Sequence, residues 1–251
     1  MINVIINGCN GRMGRVITAL VAAEDDMQTV AGIDISGEQL SDFPVFSNIN
    51  DCDIPADVII DFSHFSAVPG VIDYALEKKT AVMIATTALE ESTLEKLNEA
   101  AKTIPAFRSA NMSLGVNLIA RATAMVASAV DGDFNCEIIE KHHNKKLDSP
   151  SGTAVLLADK VKEASRNEKT YSYGRHSKHD EFDINNITIH AVRGGTIPGE
   201  HSVFFIGPDE IIEIKHTSLS REVFGHGAIK AAKFITAQQP GKLYNMDDLI
   251  G

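Results

Sequence analysis

Cysteine is scarce in this sequence, and its placement argues against two common small-protein scaffolds. Cys9, Cys52 and Cys136 are odd in number, far apart, and form no C-x-x-C pair. The spacing therefore indicates neither a disulfide framework nor a zinc knuckle. It predicts a protein of a reducing, cytoplasmic compartment.

Long hydrophobic runs are also missing. No apolar run reaches the roughly 18 to 20 residues that span a bilayer, so we expect no membrane segment. The opening segment, residues 1–11, is apolar for too few residues and has no basic leader. This pattern predicts a first strand running into a glycine turn, and not a signal peptide.

Basic residues are outnumbered, with 23 Lys and Arg against 34 Asp and Glu and a formal net charge of −11. Such a balance repels duplex nucleic acid, so we expect no nucleic-acid partner. The one dense basic run, residues 141–146, is interleaved with histidines. Runs of this kind are usually solvated turns, but this one also suits a small anionic substrate.

The first half of the chain alternates strands with helices. Its first helix has apolar residues at helical spacing, namely Met13, Val16, Ile17, Leu20 and Val21. We predict strands at 4–7, 29–33, 58–62, 81–85 and 106–109, and further helices at 67–78 and 90–102. This alternation predicts an α/β fold with a Rossmann-like, doubly wound parallel sheet.

The pattern changes after about residue 111. We predict a helix at 116–130, an extended segment at 134–142 and a helix at 153–164, followed by a polar loop at 165–183. Strands at 187–192, 202–206 and 210–216 then follow one another, with a hairpin at Gly207-Pro208-Asp209. Consecutive strands predict a second, α+β domain on a mixed sheet. Val203 with Phe205, and Ile212 with Ile214, alternate along these strands, so we expect them to leave apolar surface for contact between subunits. A last helix at 222–237 suits either domain.

A glycine-rich turn joins the first strand to the first helix. Gly8, Gly11 and Gly14 are spaced G-x-x-G-x-x-G, and Asp34 ends the second strand 20 residues after Gly14. Glycines let a pyrophosphate approach the helix amides, and the carboxylate can accept hydrogen bonds from ribose hydroxyls. A structural turn with a surface aspartate is the alternative. The context favours a dinucleotide site.

A second cluster reads E-I-I-E-K-H-H-N-K-K-L-D-S-P-S-G-T-A from Glu137. Ser149 suits a helix cap and Pro150 the first turn, which would leave the amides of Gly152 and Thr153 facing outward. Histidines, lysines and a helix amino terminus within a dozen residues suit an anion that needs a proton. An exposed basic loop with an ordinary cap is equally compatible. Successive side chains of an extended segment face opposite ways and H-E-x-x-H is absent, so we expect no metal site.

This cluster resembles the E-x-H-H-x-x-K-x-D-x-P-S-G-T signature of the dihydrodipicolinate reductase family. The likeness covers nearly the whole chain and includes several further motifs in order. They are G-x-x-G-R-M-G at the start, Asp61-Phe62-Ser63, Thr86-Thr87, Ser109-Ala110-Asn111-Met112-Ser113, Val192-Arg193-Gly194-Gly195, Gly199-Glu200-His201 and Ser220-Arg221.

The resemblance implies a reductase that transfers a hydride from NADH or NADPH to a cyclic dicarboxylate. By motif position, His142 would be the proton donor and Lys146 its cationic partner, while His143, Gly152 and Thr153 would contact substrate carboxylates. It further implies a homotetramer and three segments: a dinucleotide-binding domain at 1–112, a substrate and oligomerisation domain at 113–217, and a tail at 218–251 that returns to the first domain. The cofactor contacts would be Gly8, Cys9, Asn10, Gly11, Arg12, Met13, Asp34, Ala85, Thr86, Thr87, Ser109, Ala110, Asn111 and Met112.

The sequence departs from the family pattern in two segments. Ala85-Thr86-Thr87-Ala88 stands where relatives commonly have G-T-T-G, and Ile35 follows the ribose aspartate where many have a basic residue. We therefore expect both cofactors to be used, with NADH favoured or at least equal. Two competing interpretations are less favoured. The His-His-x-x-Lys loop followed by Pro-Ser-Gly-Thr argues against an aspartate or sugar dehydrogenase on the same plan. A nucleotide-sensing module without turnover would not need a proton donor and an anion site opposite the nicotinamide.

Overall fold

The computed structural model describes residues 1–176 and 183–251. The chain divides into two compact units. The first contains Met1–Leu114 and Glu222–Gly251, and the second contains Gly115–Arg221. The helix that we expected at 222–237 thus belongs to the same unit as the first strand. Within the described residues, no helix has the length and apolarity needed to cross a membrane.

The first unit is built on a seven-stranded sheet in which every pairing is parallel. The strand order is β12-β6-β5-β4-β1-β2-β3. The strands are β1 (Ile2–Asn7), β2 (Met27–Ile33), β3 (Val45–Phe46), β4 (Val58–Asp61), β5 (Ala81–Ile84), β6 (Ala106–Arg108) and β12 (Leu243–Tyr244). The predicted parallel sheet is confirmed, and the two-residue strands β3 and β12 extend it at its edges.

Helices cover both faces of this sheet. Successive residues of a strand face opposite ways, so Ile6 packs on the side of α1 (Arg12–Ala22) and α6 (Glu222–Thr236). Ile5 packs on the side of α2 (Val68–Lys78) and α3 (Glu91–Ala100). A short α7 (Met246–Ile250) ends the chain. The predicted doubly wound arrangement is confirmed.

The second unit carries a five-stranded mixed sheet in the order β11-β10-β7-β9-β8. Its central strand β7 pairs antiparallel with β10 and parallel with β9, and β10 and β11 form the predicted hairpin. Two helices, α4 (Leu114–Val130) and α5 (Gly152–Ala164), pack on one face of it. The strands are β7 (Asn135–His142), β8 (Thr170–Tyr173), β9 (Asn186–Arg193), β10 (Gly199–Ile206) and β11 (Ile211–Ser218).

Two local expectations in this unit are wrong. Strand β8 lies inside the predicted loop at 165–183, because the Tyr171 ring packs into the core and its hydroxyl donates to Asp159 Oδ1 at 2.6 Å. Residues 177–182 of that stretch lie outside the described residues. The cap of α5 is Ser151 and not Ser149, since Ser151 Oγ accepts from the Ala154 amide, so Pro150 precedes the cap and does not lie in the first turn.

Candidate active site

The glycine turn between β1 and α1 is closed to side chains at two of its three glycines. Gly8 has φ +82°, and a Cβ there would lie 2.7 Å from the Phe62 carbonyl oxygen. A Cβ on Gly14 would lie 2.1 Å from the Gly8 carbonyl oxygen. Gly11 is the N-cap of α1 and provides no side chain to cap the helix. The turn therefore brings bare backbone to the positive end of a helix, which fits a pyrophosphate.

Asp34 lies beside this turn, as its position after β2 predicts. Its Oδ2 accepts from the Asn10 amide at 3.2 Å, and its Oδ1 accepts from the amide and hydroxyl of Ser36. The next side chain, Ile35, is 94% exposed. Arg12 and Met13 begin α1, and Arg12 is exposed. Cys9 points inward, where its Sγ packs on Gly32, so it can offer a ligand only its backbone.

A buried carboxylate joins the ends of three neighbouring strands. Asp61 accepts hydrogen bonds from Asn7 Nδ2, Ser63 Oγ and Thr86 Oγ1, each at 2.6 Å. Burial raises the pKa of Asp61, although these hydrogen bonds oppose the increase. The Asp61 carboxyl thus fixes the segment that follows β5, in which Ala85 and Thr86 are buried and Thr87 is exposed.

The segments after β5 and β6 each have one distinctive backbone feature. Ala88 has φ +57°, the left-handed conformation that glycine adopts most readily. In the segment after β6, Ser109 Oγ accepts from the Asn111 amide, Ala110 is exposed and Met112 is buried. A Cβ on Gly227 of α6 would lie 1.6 Å from the Met112 carbonyl oxygen, so this segment packs directly on a helix backbone.

The second unit has a buried ionic cluster at the end of β7. Glu140 is fully buried, and its Oε2 accepts from His142 Nδ1 at 2.6 Å and from Arg193 Nη1 at 2.6 Å. Its Oε1 accepts from Arg193 Nη2 at 2.7 Å and from the Ser151 amide at 2.9 Å. One carboxylate therefore joins the predicted proton donor to the start of α5.

The pKa values in the cluster follow from burial and charge. Burial alone would raise the pKa of Glu140, but hydrogen bonds from Arg193, His142 and the Ser151 amide bring it below the usual value. Burial lowers the pKa of His142; Glu140 opposes this, while Lys146 and Arg193 lower it further. The net effect is a lowered pKa, so His142 takes up a proton less readily than an exposed histidine.

A second histidine supports the cap of α5. His201 Nε2 lies 2.9 Å from Ser151 Oγ, and its ring is 5.1 Å from that of His142. Burial lowers the pKa of His201 to about 4, so it is neutral at pH 7. In the first turn of α5 beyond this cap, Gly152 is exposed and a Cβ on it would meet open space.

The loop after β7 carries the remaining predicted substrate residues. The His143 amide donates to the Ile197 carbonyl at 2.8 Å, and its Nδ1 is buried without a partner among the described residues. Lys146 Nζ pairs with Asp148 Oδ2 at 2.8 Å. Thr153 lies in the first turn of α5, next to Gly152.

The structure thus places the predicted residues in two groups, one in each unit. Glu140, Ser151, Arg193 and His201 received no role from the sequence, although each lies in a motif that carries the family resemblance. A buried glutamate two residues before a histidine on one strand was the available signal, since alternate residues share a face. Within residues 1–176 and 183–251, no three His, Cys, Asp or Glu side chains are arranged to hold a metal ion.

Comparison with known proteins gives consistent matches over the chain. Residues 2–112 match the family model described as dihydrodipicolinate reductase, N-terminus, and residues 115–250 match the model of its C-terminus. Two similar proteins, both named 4-hydroxy-tetrahydrodipicolinate reductase, come from Caldanaerobacter subterraneus and Clostridium tetani. They are 49% and 46% identical over 250 residues, covering 100% of this chain and 98% and 97% of theirs.

Solved structures agree with these matches. A dipicolinate-bound dihydrodipicolinate reductase from Paenisporosarcina sp. TG-14 is 25% identical, with a TM-score of 0.82 over 98% of this chain and 97% of that one. A Corynebacterium glutamicum myo-inositol dehydrogenase, 16% identical with a TM-score of 0.58 over 100% and 92% of the two chains, shares the fold alone. The chain therefore belongs to the dihydrodipicolinate reductase family of nicotinamide-dependent oxidoreductases.

Proposed function

We propose that the two residue groups divide the work of a 4-hydroxy-tetrahydrodipicolinate reductase between them. The protein transfers a hydride from a nicotinamide cofactor to a cyclic dicarboxylate imine, giving tetrahydrodipicolinate in lysine and diaminopimelate synthesis. The observation that carries the role of the second group is the link through Glu140 between His142 and the amino terminus of α5. It joins a proton donor to an anion site, which is what a dicarboxylate undergoing reduction requires.

In this proposal, His142 supplies the proton. Hydride addition to a conjugated imine leaves negative charge on the neighbouring atom or on nitrogen, and a poised acid or cation stabilises it. His142 donates from Nε2, because Nδ1 is bound to Glu140. Lys146 acts as the cation of the loop and exchanges its contact with Asp148 for the substrate.

The substrate carboxylates bind to His143 and to the first turn of α5. The turn is exposed at Gly152, and helix amino termini attract anions through their amides and dipole. The buried Nδ1 of His143 provides a further polar atom for a carboxylate. Thr153, one residue into the helix, contributes from the same turn.

The cofactor binds to the first unit. The turn at Gly8, Gly11 and Gly14 holds the pyrophosphate, and Asp34 accepts from the adenosine ribose. The segments after β5 and β6 line the nicotinamide side. Both NADH and NADPH serve, with NADH favoured or equal, because no cation follows Asp34 and Ile35 is fully available to solvent.

Loss of nicotinamide absorbance on supplying the condensation product of pyruvate and aspartate semialdehyde tests the activity. His142→Gln and Lys146→Ala should each lower turnover by roughly 100- to 10,000-fold while the KM for cofactor changes little. His143→Ala should instead raise the KM for substrate. His190→Gln is the matched control, since His190 also pairs with a glutamate, Glu137, but stands apart from the cluster.

Near-normal turnover in His142→Gln or Lys146→Ala would overturn the assignment of these side chains. The loop would then be structural. Normal binding of NADH by such an active variant would leave the family assignment untouched, because the cofactor residues lie in the other unit.

We propose a homotetramer built on the second sheet, but on different residues from those the sequence indicated. Val203 and Phe205 were expected to offer free apolar surface; both are buried under α4 and α5, and Ile212 and Ile214 pack beside them. Alternation puts Ile139 and Phe204 on the opposite face, where both are half-buried. That face supplies the apolar surface for sheet-to-sheet assembly.

Light scattering should give a particle of four times the 27.1 kDa chain mass at micromolar concentration. Phe204→Lys should lower that mass, whereas a charge on an exposed residue of α4, as in Met125→Lys, should not. A wild-type particle near 27 kDa would overturn the tetramer. We place the enzyme in the cytoplasm, a location in keeping with three free, buried cysteines.

A further inference from the structure

Glu140 has no hydrogen-bonding capacity left for a substrate. Its carboxylate is fully buried, and each oxygen accepts two hydrogen bonds at 2.6 to 2.9 Å. A carboxylate with four donors and no exposure cannot contact the reacting atoms. Whatever it contributes to the reaction passes through the groups that donate to it.

Those groups come from three elements. His142 Nδ1 donates from the end of β7, the Ser151 amide from the cap of α5, and the Arg193 guanidinium from the end of β9. The bidentate Arg193 contact fixes the orientation of the carboxylate plane. The orientation of the His142 ring and the start of α5 therefore depend on one rigid acceptor.

The hydrogen bond also fixes the state of the His142 ring. A carboxylate accepts only, so Nδ1 carries the hydrogen and Nε2 is the atom left for chemistry. A Cβ on Gly199 would stand 3.1 Å from Nε2, which is tighter than an ordinary contact. Gly199 thus leaves room at the one nitrogen that Glu140 does not occupy.

The charged groups around the His142 ring act in opposite directions on its protonation. Glu140 stabilises the protonated ring, while Arg193 from β9 and Lys146 from the following loop disfavour it. From β10, His201 faces the ring at 5.1 Å in its neutral form, and α5 contributes the uncharged cap Ser151. Among the groups just named, all of them described residues, Glu140 is the only anion. Arg193 partly offsets the effect of the Glu140 charge on the pKa of His142.

We propose that Glu140 is a positioning residue that fixes the His142 imidazole relative to the α5 anion site and favours the protonated ring. Arg193 opposes the second of these effects. The proposal rests on the role of His142 given above. It goes further in assigning opposite effects to two buried residues that do not contact substrate.

The test compares the pH dependence of kcat/KM in Glu140→Gln and Arg193→Gln. The acid form of His142 is required, so activity falls as pH rises past its pKa. Glu140→Gln removes the favourable charge and should shift this fall to lower pH by about one unit, with a loss of up to about 10-fold at pH 7.5 that is recovered on acidification. Arg193→Gln should shift it to higher pH, because the Glu140 charge is then uncompensated.

The matched control is Glu137→Gln. Glu137 lies on the same strand and pairs with His190 at 2.6 Å and Arg175 at 2.5 Å, but its side chain faces the other side of the sheet. This variant should keep the wild-type pH profile, and particle mass is measured in every variant to exclude an effect of assembly. The KM for NADH should stay constant throughout.

A purely structural role would lower activity at all pH values and shift neither profile. Unchanged profiles, or shifts of both in the same direction, would overturn the proposal. If Glu140→Gln does not fold, the direction of the Arg193→Gln shift decides. Normal turnover in His142→Gln would overturn the proposed role of His142, and with it this inference. Lost turnover in His142→Gln, together with wild-type pH profiles in Glu140→Gln and Arg193→Gln, would overturn this inference alone.

Discussion

We expect the choice between NADH and NADPH to depend on the residue directly after Asp34. Asp34 accepts from the Asn10 amide and from Ser36, which keeps its carboxylate beside the glycine turn. A ribose 2′-phosphate would meet that negative charge at close range, whereas ribose hydroxyls would donate to it. Replacing Ile35 with arginine supplies a cation without disturbing packing, because the Ile35 side chain is 94% exposed.

The magnitude follows from that exposure. A charge-assisted contact in a solvent-exposed position is worth about 1 to 2 kcal/mol, which corresponds to roughly a 5- to 30-fold change in a ratio of rate constants. Ile35→Arg should therefore raise the ratio of kcat/KM for NADPH to that for NADH by about that factor. The gain should shrink as salt is added, since exposed charges are screened.

Two further substitutions separate charge from size. Ile35→Gln introduces a long polar side chain without charge and should change the ratio little, while Ile35→Glu should lower it. The wild-type protein should favour NADH or use both equally, with exposed Arg12 as the one cation of the turn able to approach a phosphate. An unchanged ratio in Ile35→Arg, or a tenfold wild-type preference for NADPH, would show that selection depends on other contacts.

Three further predictions concern single positions. Ala88→Gly should raise the free energy of unfolding by about 0.5 to 1 kcal/mol in urea titrations, because Ala88 has φ +57°; an unchanged midpoint would mean that the conformation costs nothing. Gly152→Ala should raise the substrate KM several-fold without altering the thermal unfolding midpoint, since the added Cβ meets open space; an unaffected KM would remove Gly152 from the anion site. Burial lowers the pKa of His201 to about 4, so this histidine binds a proton more tightly in the unfolded chain than in the folded one. The free energy of unfolding should therefore decrease as pH falls from 6.5 towards 4. This loss should amount to about 3 kcal/mol and be smaller in His201→Gln, and equal pH dependence in both proteins would contradict it.

Local patterns were sufficient to predict the first unit. Strand-helix alternation gave the parallel sheet, and the glycines after β1 marked the turn where a Cβ at Gly8 or Gly14 would collide with backbone. These features depend on neighbours in sequence or on steric rules that apply to every chain. The short edge strand β12 was missed because its two residues carry no periodicity of their own.

The second unit shows where such patterns fail. Alternation along β10 correctly indicated that Val203 and Phe205 share a face, but it could not tell whether a helix or another subunit covers that face. Strand β8 was taken for a loop because its residues are polar. Its support comes from Tyr171, which reaches the core and Asp159 of α5, a contact across 12 residues.

The ionic cluster was beyond prediction for a related reason. Arg193 and Glu140 are separated by 53 residues and meet only because β7 and β9 pair in parallel register, with His142 opposite Arg193. A buried carboxylate is costly unless it is paired, so its presence at 0% exposure requires partners that the local sequence does not name. The histidine pair could be read from a motif, whereas the pKa of His142 depends on its burial and on Glu140, Lys146 and Arg193, of which Arg193 comes from the distant strand β9. The sequence therefore indicated which side chain to propose as the acid, and the pairing of distant strands brings up a charge that we expect to affect its protonation.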